Sequence, residues 1–137
     1  MARRRENHYF WGSFVLEWFH HLRDSNFVAS DYRVLFYLCE EMKGDDNTAY
    51  IKQKEIAAKL HMDKGNVSKS ITRLREKQFI VKVQNGYMIN PHLFYVGKRK
   101  DGRESLRETF DETLEENGVK TIFYLNEDEH ALEVNEE

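Results

Sequence analysis

The sequence contains only one cysteine, Cys39, and only one proline, Pro91. A single cysteine cannot form a disulfide within the chain, so we expect a protein of the reducing cytoplasm. No apolar run is long enough to span a membrane, and polar residues interrupt the aromatic stretch that follows the basic residues 3–5. We therefore expect neither a secretory signal nor a membrane segment.

The sequence also lacks the spacings that mark common catalytic sites. None of its six histidines pairs with a cysteine or a carboxylate at metal-ligand spacing. There is no His-x-His with a downstream tyrosine, which nicking initiators of rolling-circle replication need, and no glycine-rich phosphate loop, which an ATPase needs. We therefore expect no enzymatic activity, no metal, no cofactor and no small-molecule substrate.

The charges are distributed unevenly, although the formal net charge is only −3. Residues 1–51 carry 6 basic and 8 acidic side chains, residues 52–107 carry 14 and 5, and residues 108–137 carry 1 and 11. The three segments therefore have net charges of −2, +9 and −10. A basic middle segment of this size indicates a site for a polyanion, and the alternative is a solvated, lysine-rich surface.

Aromatic residues recur at three- and four-residue spacing near the start of the chain. This pattern predicts an amphipathic helix over residues 7–23 with a strongly aromatic face. The face either covers the core or joins two copies in a homodimer, and we favour the homodimer. The residues predicted at the dimer interface are Trp11, Phe14, Trp18 and Leu22.

Three further helices are predicted in the first half of the chain. The first begins at a capping residue, Ser30 or Asp31, and ends at the loop of residues 44–47, before a short β-prone run. The other two cover residues 53–60 and 63–77, and only two residues separate them. A pair of helices joined by so tight a connection is typical of a helix-turn-helix.

A β-hairpin is predicted directly after these helices. Residues 79–84 alternate as a strand, Asn85-Gly86 is a strong hairpin-turn pair because both residues tolerate positive φ, and Pro91 ends the second strand. The complete order predicts a winged helix-turn-helix. We expect a mainly α fold with a small β-hairpin (α+β), an extra N-terminal aromatic helix and a C-terminal extension.

The predicted helix at 63–77 is the candidate recognition helix for a DNA major groove. Its buried face is apolar, whereas its opposite face carries small, hydroxyl and cationic side chains that suit base edges and phosphates. Gly65 allows the backbone to approach a phosphate closely near the helix N-terminus. We expect DNA contacts from this helix, from the start of the preceding helix and from the hairpin, which is the wing. The residues are Lys52, Lys64, Gly65, Asn66, Ser68, Lys69, Thr72, Arg73, Lys77, Lys82 and Asn85.

Residues 51–97 resemble the winged-helix core of the RepL-type plasmid replication proteins. The resemblance lies in residues 51–57, in residues 67–71 with Leu74, and in Phe79-Ile80. Its most specific part is the run Gly86-Tyr87-Met88-Ile89-Asn90-Pro91-His92-Leu93-Phe94-Tyr95-Val96-Gly97. The resemblance implies a replication or copy-control factor that binds repeated double-stranded sites on its own replicon.

The last part of the chain is expected to be an appendage. We divide the chain into a DNA-binding domain at residues 1–97 and a segment at 98–137 with a basic joint, a helix at 104–116 and an acidic tail. The tail either restrains DNA binding electrostatically or only aids solubility. A third possibility is that residues 121–125 dock as an extra strand.

The sequence is compatible with three functions. The first is sequence-specific binding of double-stranded DNA in plasmid replication initiation or maintenance, and the second is transcriptional repression with the same fold. The third is a protein-interaction module that uses the acidic tail. The cationic exposed face at residues 63–77 favours the two DNA-binding functions.

Overall fold

The computed structural model describes residues 11–43, 45–97 and 99–135. Within these ranges the helices are α1 (Trp18–Arg23), α2 (Ala29–Glu40), α3 (Gln53–Leu60), α4 (Lys64–Glu76) and α5 (Lys100–Glu116). The strands are β1 (Ser13–Phe14), β2 (Thr48–Ala49), β3 (Ile80–Val83), β4 (Gly86–Ile89), β5 (Phe94–Tyr95), β6 (Phe123–Asn126) and β7 (Ala131–Val134). The fold is thus mixed α+β, as expected. No helix of the described ranges is long and apolar enough to cross a membrane.

The centre of the molecule is formed by α2, α3, α4 and a three-stranded antiparallel sheet in the order β2-β4-β3. The inward side chains of α4 are Val67, Ile71 and Leu74, and all three are buried, as the helical wheel predicts. They join the apolar residues of α2 and the sheet in one core. The bounds of α3 and α4 also match the predicted ones to within a residue.

The hairpin turn lies one residue earlier than predicted. Val83 pairs with Gly86, so the turn residues are Gln84 and Asn85, and only Asn85 of the predicted turn pair has positive φ. Gly86 belongs to β4 instead. A Cβ atom there would lie 2.3 Å from the carbonyl oxygen of Ala49, so the glycine is required by the close approach of β2.

The predicted helix over residues 7–23 is wrong for most of its described length. Only α1 is helical, whereas β1 is extended and pairs antiparallel with β5. The Val15 N–H continues this pairing by donating to the carbonyl of Leu93 at 2.9 Å. The chain also passes so close to the Phe94 ring that a Cβ atom on Gly12 would overlap it. Residues 7–10 lie outside the described residues.

Trp18 and Leu22 belong to the core of a single chain, which corrects their assignment to a dimer interface. Trp18 has no exposed surface, and its ring packs against those of Phe79 and Phe94, with centroid distances of 5.8 and 6.1 Å. Leu22 lies one helical turn further and is also buried. By contrast, Trp11 and Phe14 of the predicted interface are exposed.

The C-terminal segment is a packed part of the fold. Helix α5 begins four residues earlier than predicted, and β6 pairs with β7, so the acidic tail is in large part a β-hairpin. Phe123 and Leu132 of this hairpin are buried in the central core. In addition, Arg103 and Arg107 of α5 both donate to the carboxylate of Glu127, at 2.9 and 2.6 Å.

Two buried polar side chains attach the C-terminal hairpin to the central unit. Gln78, just after α4, donates to the Lys120 carbonyl and accepts from the Ile122 N–H. His92 accepts from the Leu125 N–H through Nδ1 and contacts the Asp111 carboxylate through Nε2, both at 2.9 Å. Because Nδ1 is an acceptor, the proton of a neutral His92 ring lies on Nε2 and is donated to Asp111.

Candidate nucleic-acid interface

Helix α4 begins directly after a tight connection that follows α3. His61 ends α3 in the left-handed conformation, with φ of 54°, and the chain turns within three residues. Asp63 then caps α4, because its carboxylate accepts from the Gly65 N–H at 3.0 Å. A phosphate that approached Gly65 as predicted would therefore meet the Asp63 carboxylate, which already accepts from this N–H group.

The outward face of α4 is polar and mainly cationic. Asn66, Lys69 and Lys77 are exposed and, with Arg73, follow one another at spacings of three and four residues, so they lie in one row along the helix. Other exposed residues of α4 that were predicted to contact DNA are Lys64, Gly65, Ser68 and Thr72. The predicted residues of α4 therefore spread over the part of the helix that the core leaves uncovered.

Arg73 is also part of a buried network that joins α4 to α2. Its Nε and Nη2 atoms donate to the carboxylate of Asp31, both at 2.8 Å, and the Ser70 hydroxyl donates to the same carboxylate at 2.7 Å. Asp31 has no exposed surface, whereas the Arg73 side chain is 40% exposed. The predicted phosphate contact of Arg73 therefore has to use the edge of the guanidinium that faces away from Asp31.

The electrostatics of this pair favour the charged forms. Burial of the Asp31 carboxyl raises its pKa, but hydrogen bonds from Arg73, Ser70 and the Val28 N–H outweigh burial, so its pKa lies below the ordinary value. The hydrogen bond to Asp31 raises the pKa of Arg73. Asp31 therefore contributes stability that is present above its unfolded-state pKa and is lost as the pH falls through the lower folded-state value.

The other predicted contacts lie on the hairpin and at the start of α3. Lys82 and Asn85 are exposed, but the ammonium group of Lys82 donates to the Val83 carbonyl and lies 5.3 Å from the Tyr87 ring centroid. Lys52 is the exposed N-cap residue of α3. The hairpin tip thus offers few cations to a polyanion.

The family model described as Firmicute plasmid replication protein (RepL) matches residues 6–136. The chain belongs to the RepL family. The match covers nearly the whole chain, so it includes the N-terminal and C-terminal segments in addition to residues 51–97, on which the sequence resemblance rests. RepL membership supports a role related to plasmid replication. No match was found among curated proteins or among solved structures.

One residue of the RepL chain behind this surface, Asp31, is not predicted from the sequence as a partner of α4. Asp31 was considered only as a helix cap, although it is the buried partner of Arg73. Arg75 is also exposed on α4, but it is two residues from Arg73 and therefore lies on the other side of the helix from the row. No local sequence pattern connects Asp31 with a residue 42 positions away.

Proposed function

We propose that this RepL chain is a winged helix-turn-helix that binds double-stranded DNA sequence-specifically, acting in plasmid replication initiation or maintenance at its own origin. In this proposal α3 and α4 form the helix-turn-helix, α4 enters the major groove, and the β3–β4 hairpin is the wing. The order of α2, β2, α3, α4, β3 and β4 and the β2-β4-β3 sheet are compatible with this architecture.

One observation carries the proposal: the row formed by the exposed Asn66 and Lys69, the partly exposed Arg73 and the exposed Lys77, which directly follows α4. Amide and ammonium groups donate to base edges and phosphates, and they belong here to a helix whose other side is fixed in the core. This surface lies within the segment of net charge +9. RepL membership supplies a context in which the polyanion is plasmid DNA.

Duplex binding by the wild-type chain is expected to weaken steeply with salt. If about five to eight phosphates are neutralised, the slope of log affinity against log salt concentration is about −4 to −7. Lys69→Gln is expected to make this slope less steep by about 0.9, because one contact is lost. Fluorescence anisotropy with a labelled duplex at several salt concentrations measures both slopes.

The matched control for this measurement is Lys59→Gln. Lys59 is an exposed lysine that lines the groove between α2, β2 and α3, together with Tyr37 and Tyr50. Its replacement removes the same charge from the chain and is expected to leave the slope unchanged. A flat salt response of the wild type, or equal changes for the two variants, contradicts the proposal.

Transcriptional repression is the alternative that uses the same surface, because a fold does not determine what a bound site controls. The RepL match favours replication. A protein-interaction module built on a free acidic tail has less support, since residues 123–134 of this segment form a packed hairpin. A plasmid-maintenance assay with Lys69→Gln distinguishes replication from repression.

We further propose a homodimer through the exposed apolar residues of the N-terminal segment. Trp11 and Leu16 are 84% and 80% exposed, and Phe14 and Phe19, whose rings contact each other, are also exposed. Four exposed apolar side chains within the nine residues 11–19 are more than scattered surface exposure requires, which is typical of an interaction site. A symmetric pair of recognition helices would bind two half-sites.

Replacing Trp11 and Leu16 together by serine is expected to raise the dissociation constant of this dimer at least about a hundredfold, because two large apolar anchors are lost. Phe36→Ser is the control, because Phe36 is a similarly exposed aromatic residue on α2. Sedimentation velocity over a range of concentrations measures the effect. A wild type that is monomeric at high micromolar concentration contradicts the dimer.

We propose in addition that the chain binds DNA in the cytoplasm without catalysing a reaction and without a cofactor. Burial raises the pKa of the Cys39 thiol to about 12, so this side chain stays protonated at neutral pH and is a poor nucleophile. Incubation of plasmid DNA with the purified chain and Mg²⁺ tests the proposal, since nicking would contradict it.

A further inference from the structure

The contact between α2 and α4 is centred on the carboxylate of Asp31. This group accepts hydrogen bonds from the Val28 N–H, the Ser70 hydroxyl, and Nε and Nη2 of Arg73. Both of its oxygens are therefore used within the chain, and neither is available to solvent. The carboxylate fixes the position of the guanidinium group relative to α2.

The geometry of the guanidinium determines where its remaining donors point. Arginine carries five N–H donors in one rigid plane, and Asp31 takes those on one edge. The donors of the opposite edge therefore point away from the buried carboxylate, and the side chain is 40% exposed. Arg73 also lies between Lys69 and Lys77 in the exposed row of α4, four residues from each.

We propose that Asp31 is a positioning residue of the DNA interface, which holds one edge of Arg73 so that the opposite edge donates to a DNA phosphate. This inference rests on the proposed function of α4. Arg73 then connects α4 to the core and sets the position of the helix on the DNA backbone. A lysine at this position would supply the charge without the fixed orientation.

The experiment compares Asp31→Asn, Arg73→Lys, Arg73→Gln and the double variant Asp31→Asn/Arg73→Gln with the wild type. Affinity is measured against salt for two probes: the best duplex that the wild type selects from a randomised library, and a scrambled duplex of the same composition. Urea unfolding of each variant defines conditions in which it is fully folded. Asn66→Ala is the matched control in the same row.

The effect of Asp31→Asn separates positioning from general electrostatics. This change makes the chain one unit more positive, so electrostatics alone predicts tighter binding to both probes. Positioning predicts the opposite, at least about tenfold weaker binding to the selected duplex, which corresponds to the loss of one charge-assisted hydrogen bond. In the Arg73→Gln background the same change is expected to cause no further loss.

The salt slope then shows whether Arg73 contacts a phosphate. Arg73→Gln is expected to make the slope less steep by about 0.9, whereas Arg73→Lys keeps the slope and reduces the preference for the selected duplex. Asn66→Ala is expected to reduce the preference and keep the slope. Arg73→Gln alone leaves the buried Asp31 carboxylate without its partner, which can prevent folding. In that case the slope of the double variant, which removes both charges, is compared with the slope of Asp31→Asn.

Two outcomes overturn the inference. Tighter binding by Asp31→Asn shows that the carboxylate acts only through its charge. An unchanged slope after loss of the Arg73 charge shows that Arg73 contacts no phosphate. If the wild type itself binds neither duplex in a salt-dependent way, the proposed function is contradicted instead.

Discussion

Replacing Trp18 with alanine is expected to lower the free energy of unfolding by about 3–5 kcal/mol, the usual cost of deleting a large buried aromatic side chain. Trp18 has no exposed surface and packs in the same core as Phe79 and Phe94. Its loss therefore leaves a cavity at the centre of the molecule. Urea unfolding followed by circular dichroism measures the change.

Trp11→Ala is the matched control, because it removes the same side chain from a position that is 84% exposed. Its effect on unfolding is expected to stay within about 0.5 kcal/mol at protein concentrations where the chain is monomeric. The two tryptophans thus separate the core from the proposed dimer surface. A Trp18→Ala chain that keeps its stability and loses only self-association would contradict the packing described above.

Truncation after Asn117 is expected to remove most of the free energy of unfolding, so that the cooperative unfolding transition is largely lost. It removes Phe123, whose burial contributes about 3–5 kcal/mol. It also leaves Gln78 and His92 without the backbone partners that they contact, at a cost of about 1–3 kcal/mol each. Domains of this size are stable by only about 5–15 kcal/mol, so little stability would remain.

Neutralising exposed acidic residues of the same segment provides the control. Asp128→Asn, Glu129→Gln and Glu133→Gln change the charge of the hairpin but not its buried side. This triple variant is expected to unfold within about 0.5 kcal/mol of the wild type. A truncated chain with an unchanged unfolding midpoint would mean that the segment is a tethered acidic tail, as composition alone suggested.

The parts of the fold predicted from sequence are those determined by local periodicity and capping. Helices α3 and α4 were predicted to within a residue, because Asp63 caps α4 and its apolar residues recur on one face. The hairpin was also predicted, but its turn was displaced by one residue. Gly86 is required by the backbone of β2, and sequence alone does not show that contact.

The incorrect prediction for the N-terminal segment involves a contact between distant parts of the chain. The aromatic spacing near the N-terminus suits a helix, yet β1 pairs with β5, far along the sequence. After Gly118, the many acidic residues hide the alternation of buried and exposed side chains in β7, where Leu132 is buried. For the candidate site, a helical wheel predicts which side chains of α4 are exposed. It does not predict that Asp31 of α2 holds Arg73.

The β3–β4 hairpin is enclosed on both faces at its base, whereas its tip is exposed. Val81 and Met88 pack against Phe110 and Leu114 of α5, and Ile80 and Ile89 belong to the central core. Amide hydrogens of this hairpin are therefore expected to exchange with solvent about as slowly as those of the core, since opening them requires global unfolding. In the proposed complex, a hairpin of this rigidity would leave the groove width of the duplex to adjust, and easily deformed base steps would then be favoured at that point.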